Sequence, residues 1–202
     1  LYENKLETVY DCNIEMKEEN IDTINYVSDE HKKAITKVLK PKVLIPVFPG
    51  TNCEYDSAKA FAAAGADPEI FVINNLSTNS IVESIEAFAE KVKKSQIILI
   101  PGGFSGGDEP DGSGKFITAF FRNTEIKCAI MDLIDNRDGL ILGICNGFQA
   151  LIKLGLVPYG KIIDTDENCP TLTLNKIGRH QSKLVRVRVA SNKSPWLANA
   201  KV

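Results

Sequence analysis

Four short, continuous apolar runs recur between residues 42 and 145, and segments with helical periodicity separate them. The runs are Lys42–Phe48, Glu69–Asn74, Gln96–Pro101 and a run that begins at Leu140 and ends at Cys145. Between the second and third runs, a predicted helix over Ser80–Lys94 carries its large apolar residues on one face. Strands that are apolar throughout are typical of a parallel sheet covered by helices on both faces. The pattern predicts an α/β fold with a doubly wound, flavodoxin-like and mostly parallel sheet.

Local signals predict the remaining elements of this sheet. A helix capped by Thr51 or Asn52 is expected to follow the first run and to stop at Gly65. Two further helices, near Lys115–Arg122 and Glu125–Asp135, are expected to lead into the last strand.

Charge and composition exclude several classes of protein. The chain has 202 residues and a net charge of −2, from 24 basic and 26 acidic side chains. This balance, without a dense Lys/Arg tract, gives no reason to expect a nucleic-acid partner. No apolar run approaches the roughly 20 residues that span a bilayer, so we expect no membrane partner. The five cysteines lack C-x-x-C spacing, which speaks against a metal site, and their odd number favours a cytoplasmic protein over a secreted disulfide framework.

The first forty residues differ in character from the rest. Residues 1–40 are polar and charge-rich, with little sustained periodicity and no strong strand signal. Such a composition is typical of a linker or the tail of a preceding domain. We therefore predict a domain boundary at residue 40, with residues 41–202 forming the sheet domain.

Cys145 stands between Gly143 and Gly147, where the last apolar run meets a helix-like segment. A side chain at a sharp strand-to-helix turn projects from the edge of the sheet, which is how a nucleophile is presented. The flanking glycines are expected to tolerate the strained backbone, and the positive end of a helix dipole stabilises a thiolate. The alternative is a buried structural cysteine that acts as a small hydrophobic residue; Cys128 is expected to be of that kind.

Two further loops are expected to converge on Cys145, because the ligand crevice of such sheets lies beyond the carboxyl ends of the strands. These loops are Pro101–Asp108 and Pro49–Cys53. The pair Gly102–Gly103 can bring backbone N–H groups close to a ligand, as an oxyanion hole requires, and the N–H of Asn146 is a second candidate donor. Alternatively, the two glycines only form a turn.

Taken together, these motifs resemble a known family. The segment 143–149 (Gly-Ile-Cys-Asn-Gly-Phe-Gln) is similar to the G-x-C-x-G-x-Q elbow of class I glutamine amidotransferases, with Gly102–Gly103 one strand earlier. The segments 48–53 (Phe-Pro-Gly-Thr-Asn-Cys) and 102–108 resemble signatures of the glutaminase domain of phosphoribosylformylglycinamidine synthase, as does 175–179 followed by an alternating strand over Lys183–Val189. The resemblance covers about residues 41–202, and residues 1–40 would connect to a synthetase domain.

The resemblance implies an activity and a set of site residues. Cys145 would attack the side-chain amide of glutamine, and the released ammonia would pass to a formylglycinamidine ribonucleotide (FGAM) synthetase domain. The residues implied around glutamine are Gly103, Phe104 and Asn146 as the oxyanion hole, and Gln149, Gly102 and Asn52 as the substrate-binding groups. No metal or cofactor is implied for this domain, whereas ATP and Mg belong to the synthetase domain.

The sequence departs from the family in its histidines. The family serves its thiol with a His and a Glu in an H-x-E motif, but this chain has only His31 and His180, neither in that setting. We expect the catalytic His and Glu to lie outside this chain, and the chain alone to be inactive or nearly so. His31 is expected to be a solvated surface residue.

Three other functions remain open on these residues. A thiol hydrolase of the dienelactone type also uses G-x-C-x-G, but that type does not predict the Gly-Gly-Phe-Ser loop or Gln149. A reactive-cysteine relative without glutaminase activity often has His after the cysteine, where this chain has Asn146. The third alternative is a docking module that binds a synthetase domain but not glutamine.

Overall fold

The computed structural model describes residues 9, 22–28, 34–35, 37–105, 114–172, 175, 177–178 and 180–202. The chain divides into two compact units, one formed by Thr36–Thr173 and the other by Leu1–Ile35 together with Leu174–Val202. This division groups the C-terminal residues with the N-terminal ones rather than with the sheet. The boundary at residue 40 stays a prediction, and His31 lies outside the described residues.

The larger unit contains the elements predicted from the apolar runs. Its strands are β1 (Lys42–Val47), β2 (Thr51–Asn52), β3 (Asp67–Val72), β4 (Ile97–Ile100), β5 (Gly102–Gly103) and β6 (Leu140–Gly143). Its helices are α1 (Glu54–Ala63), α2 (Thr78–Val92), α3 (Lys115–Phe121), α4 (Thr124–Asp135), α5 (Asn146–Leu154) and α6 (Leu156–Tyr159). Over the described part of the chain, no helix combines the length and apolar character needed to cross a membrane.

Four strands form one parallel sheet in the order β3-β1-β4-β6. β1 lies between β3 and β4, and β4 pairs with β6 from Ile97 opposite Leu140 to Ile100 opposite Gly143. Every pairing in this sheet is parallel. The predicted α/β fold with a mostly parallel sheet is therefore confirmed.

Both faces of the sheet are covered, as the continuous apolar strands predicted. On one face, Leu44 and Ile98 pack in a cluster with residues from α2, α3, α4 and α5. On the other face, Ile45 and Leu99 pack with residues of α1. Phe88 from α2 is fully buried in the first cluster, which stabilises the fold by about 1.5–3 kcal/mol relative to an exposed side chain.

The start of α1 differs from its prediction. The residue before the helix is Cys53, which has a φ of 68° and makes no capping hydrogen bond through its side chain. Thr51 instead closes the preceding turn, because its hydroxyl accepts the N–H of Phe48 at 3.0 Å and its own N–H donates to the Phe48 carbonyl at 2.9 Å. The capping prediction is wrong because Thr51 and Asn52 form strand β2 instead.

In the smaller unit, N-terminal and C-terminal segments are hydrogen-bonded to each other. Tyr26 and Ser191 form an isolated parallel bridge. The buried side chain of Asn192 both accepts from and donates to the backbone of Ser28, each at 2.9 Å. A single turn of 3-10 helix spans Pro195–Leu197.

The alternating segment Lys183–Val189 does not form the predicted strand. Leu184 and Val187 are exposed. An alternating pattern favours a strand only where a neighbouring strand supplies hydrogen bonds and an apolar face to cover. No strand pairing involves this segment among the described residues, so the prediction is wrong here.

Candidate active site

Cys145 occupies a strained turn between β6 and α5. Gly143 ends the strand, Asn146 begins the helix, and Cys145 between them has φ 53° and ψ −108°. A residue other than glycine in this sparsely populated φ/ψ region lowers the stability of the fold by of order 1–3 kcal/mol, and such residues cluster at functional sites. The Cys145 residue is exposed. The strand–turn–helix setting predicted from the sequence is present.

The two glycines beside Cys145 have a packing role rather than a conformational one. Neither Gly143 nor Gly147 has a positive φ, so the strain falls on the cysteine itself. A Cβ at Gly147 would overlap the carbonyl group of Ile100 in β4, with the carbonyl carbon 2.7 Å away. A Cβ at Gly143 would lie 2.7 Å from the Gly147 carbonyl oxygen. The glycines therefore let α5 approach the strand ends, which corrects the expectation that they tolerate a strained backbone.

The Gly102–Gly103 loop lies against Cys145. A Cβ placed on Gly102 would lie 3.4 Å from the Cβ of Cys145, which is close contact without overlap. Gly102 and Gly103 form strand β5, which pairs antiparallel with β2 so that Asn52 opposes Gly102 and Thr51 opposes Gly103. The three predicted loops therefore converge, and the alternative that the glycine pair only forms a turn does not hold.

Gly103 is needed for this convergence. Its φ is 110°, and a Cβ there would overlap the Gly50 carbonyl oxygen and lie 2.7 Å from the Asn52 nitrogen. The N–H of the next residue, Phe104, donates to the Gly50 carbonyl oxygen at 2.8 Å. The Phe104 N–H is thus already engaged, so Phe104 is removed from the candidate oxyanion donors.

The candidate donors that remain are Gly103 and Asn146. Asn146 is the first residue of α5, and the first N–H groups of a helix have no acceptor within the helix. Its N–H therefore belongs to the positive end of the helix, which favours negative charge. Gln149 follows one turn later, half-buried, with its N–H bonded to the Cys145 carbonyl oxygen at 3.0 Å.

Buried hydrogen bonds join the loop after Gly102–Gly103 to the start of α5, and the sequence patterns did not predict them. The side-chain oxygen of Asn146 accepts from the Ser105 hydroxyl at 2.6 Å and from the Ser105 N–H at 3.3 Å. Ser105 and Asn146 are each only 1% exposed. The available signal was the serine of Gly-Gly-Phe-Ser, a polar residue two positions after the end of β5.

Two further cysteines that the structure describes, Cys53 and Cys128, are both exposed. Cys128 is exposed on α4, contrary to the expectation of a core residue, because the buried face of that helix is formed by its neighbours at other positions. Cys53 is exposed before α1. Within the described ranges, no group of three or more His, Cys, Asp or Glu residues could hold a metal ion.

A separate apolar crevice of about 600 Å³ opens at the carboxyl ends of β1 and β3. Its lining residues are Val47, Phe48, Pro49, Val72, Ile73, Asn74, Asn75 and Leu76. None of them is a predicted site residue. The predicted nucleophile, Cys145, follows β6 and does not line this crevice.

The fold and the geometry of the site define a class of protein. A parallel α/β sheet that presents a nucleophile at a strained elbow, with backbone donors beside it, is typical of enzymes that work by covalent catalysis. The chain belongs to the family of CobB/CobQ-like glutamine amidotransferase domains, whose sequence profile matches residues 40–202. The resemblance to glutamine amidotransferases drawn from the motifs is therefore confirmed.

Individual relatives carry a more specific name. The phosphoribosylformylglycinamidine synthase subunit PurQ of Dehalococcoides mccartyi is 36% identical over 147 residues, which cover 71% of this chain and 51% of that protein. The subunit of the same name from Treponema denticola is 33% identical over 171 residues, which cover 81% of this chain and 59% of that protein. The chain thus spans about half the length of the curated relatives it matches.

A solved structure, titled "Structure of PurLQS from Thermotoga maritima", is also similar. It is 30% identical and matches 58% of this chain and 45% of that chain. The TM-score is 0.39, which is too low to support an argument about assembly.

Proposed function

We propose that this chain is the glutaminase part of a phosphoribosylformylglycinamidine synthase. Family membership and the relatives named as subunits of that synthase support the proposal. The observation that carries it is the strained Cys145 at a helix start with the Gly102 loop in contact beside it. This arrangement offers a nucleophile and backbone donors on two sides of one point, as acyl transfer requires.

In the proposed reaction, the Cys145 thiolate attacks the side-chain carbonyl carbon of glutamine. The sulfur–carbon bond forms, the carbonyl π electrons move to oxygen, and a tetrahedral intermediate results. Collapse of this intermediate breaks the carbon–nitrogen bond, and the nitrogen leaves as ammonia with the proton that the thiol gave up when it became a thiolate. Water then cleaves the glutamyl thioester, which releases glutamate and restores the thiol.

The N–H groups of Gly103 and Asn146 would hold the oxyanion of that intermediate. Loss of one such donor typically costs about 10²- to 10³-fold in rate. Asn52 and Gly102 would line the glutamine pocket from the paired β2 and β5, and Gln149 from α5. The peptide groups of a two-strand ladder are fixed in direction, so the pocket needs little reorganisation on binding.

The ammonia would serve a separate synthetase domain, FGAM synthetase, as the partner. There, ATP with Mg would activate formylglycinamide ribonucleotide for amidine formation. Neither histidine of this chain lies in an H-x-E motif, so we infer that the chain alone turns over glutamine slowly, for want of the base that serves the thiol.

The test is alkylation of the full chain with 6-diazo-5-oxo-L-norleucine, a ketone analogue of glutamine, read by peptide mass spectrometry. This reaction needs the thiol and the glutamine pocket but not hydrolysis of a thioester. We expect modification at Cys145, slowed by free glutamine but not by asparagine, whose side chain is one methylene shorter. Cys53 and Cys128 are also exposed. Iodoacetamide, a general thiol reagent, is therefore used in parallel to show which thiols react without a glutamine-like group.

Two results would overturn the proposal. One is modification of Cys145 that glutamine does not slow, which would favour a reactive cysteine without a glutamine pocket. The other is modification spread equally over Cys53, Cys128 and Cys145. The variant Cys145→Ser provides the baseline, since it removes the nucleophile and keeps a side chain of similar size.

A further inference from the structure

The buried link between Ser105 and Asn146 connects two loops that are 41 residues apart in the sequence. The Ser105 hydroxyl makes the shorter of the two contacts with the Asn146 side-chain oxygen, at 2.6 Å against 3.3 Å for the Ser105 N–H. The amide nitrogen of Asn146 in turn lies 3.4 Å from the side-chain oxygen of Gln149. Buried polar groups are costly unless they are paired, so this link favours one relative placement of the two loops.

That placement concerns the two proposed oxyanion donors directly. Ser105 is two residues after Gly103, and Asn146 carries the second donor on its own backbone. The loop is also held from its other side, where the Phe104 N–H bonds to Gly50 at 2.8 Å. The segment from Gly103 to Ser105 is therefore fixed between β2 on one side and the elbow on the other.

We propose that the Ser105–Asn146 side-chain hydrogen bond is a positioning device that holds the N–H groups of Gly103 and Asn146 in register before glutamine binds. Ser105 is thus a positioning residue, not a catalytic one. The inference rests on the proposed glutaminase function. It extends that function by assigning the asparagine after the nucleophile a side-chain role as well as a backbone one.

The uncharged side chain of Asn146 suits this positioning role. An amide oxygen accepts the Ser105 hydrogen bonds without adding charge, whereas a carboxylate at the same place would repel a thiolate and a developing oxyanion. The Asn146→Asp variant therefore keeps an acceptor for Ser105 but is expected to disfavour the anionic intermediate. The Ser105→Ala variant breaks the hydroxyl contact without any change in charge.

The test measures the rate of Cys145 alkylation by two reagents in each variant. The ketone oxygen of 6-diazo-5-oxo-L-norleucine takes the place of the glutamine amide oxygen, so its rate depends on the donors. Iodoacetamide reports only on the thiol. We expect Ser105→Ala to slow the glutamine analogue about tenfold and iodoacetamide less than about twofold, since tenfold corresponds to the loss of one ordinary hydrogen bond.

Ser95→Ala is the matched control. Ser95 is 4% exposed, and its hydroxyl donates to the Lys91 carbonyl oxygen at 2.8 Å, so the substitution removes a comparable hydrogen bond at the end of α2. We expect a similar loss of thermal stability but no change in either alkylation rate. Loss of rate in both serine variants would overturn the positioning role, because general loosening of the fold would then explain it.

A double-mutant cycle completes the test. If the two side chains act as one device, adding Ser105→Ala to Asn146→Ala will slow the glutamine analogue no further than Asn146→Ala alone. Independent, multiplicative effects would overturn the proposal, as would an unchanged selectivity between the two reagents in Ser105→Ala. A wild-type chain that shows no glutamine-protected labelling would instead refute the proposed function, so the two failures are distinguishable.

Discussion

Replacing Gly147 with Ala tests whether the elbow depends on close approach of α5 to the sheet. The added Cβ would overlap the Ile100 carbonyl group, with the carbonyl carbon at 2.7 Å and the Pro101 carbonyl oxygen at 2.8 Å. Carbon atoms in good contact are about 3.5–4.0 Å apart, so the helix must retreat by roughly 1 Å. The opposing atoms belong to the main chain at the end of a central strand, and no side-chain rotation can relieve the overlap.

The expected cost follows from two opposing effects. Overpacking costs about 1–3 kcal/mol, and we expect the upper end because backbone must move. Alanine is better than glycine by up to about 1 kcal/mol in a helix interior. The net destabilisation by Gly147→Ala is therefore about 2 kcal/mol, which lowers the melting temperature of a unit of this size by about 8 °C.

The assay is urea unfolding followed by far-ultraviolet circular dichroism. Fluorescence is unsuitable, because the only tryptophan, Trp196, belongs to the smaller unit. Gly102→Ala is the control, since its Cβ would meet only an ordinary contact at 3.4 Å from Cys145. If Gly147→Ala and Gly102→Ala are equally stable within about 0.5 kcal/mol, the packing argument is refuted.

Three further predictions concern the site and the pH dependence of stability. Gly102→Ala places a methyl group beside the Cys145 side chain. The glutamine concentration that protects Cys145 against alkylation should therefore rise at least tenfold. Cys145→Gly should stabilise the unit by about 1 kcal/mol in urea, because it relieves the strained φ and ψ at this position; no gain would contradict the strain. Hydrogen bonds from Asn136 and then Arg137 lower the pKa of Asp132, so its stabilisation is present above the unfolded pKa and lost as pH falls through the folded value. Between pH 6 and about pH 2, the urea midpoint of wild type should therefore fall further than that of Asp132→Asn.

The sheet could be predicted because each strand carries its own signal. Runs such as Lys42–Phe48 and Gln96–Pro101 are apolar on both faces. A strand between two helical layers buries both faces of such a run. The segment Lys183–Val189 has an equally clear pattern but forms no strand. A strand depends on a partner, and an alternating sequence does not say whether a partner exists.

The same distinction holds within the site. The position of Cys145 at a strand–turn–helix junction was predictable from neighbouring residues, because glycines and an apolar run mark it locally. The engagement of the Phe104 N–H by Gly50 was not, because the bond joins segments 54 residues apart (104 − 50). Nor was the buried contact between Ser105 and Asn146, which depends on the placement of two loops.

The sequence by itself determined the fold class, the order of the strands along the chain and the strand–turn–helix setting of Cys145, since these depend on local composition and periodicity. Only the tertiary structure decided which backbone donors remain available, why Gly143 and Gly147 must be glycine, and that the strain falls on Cys145 itself. The reason is physical: hydrogen bonds and close contacts between distant segments are settled by distances of a few tenths of an ångström, which a one-dimensional pattern does not encode.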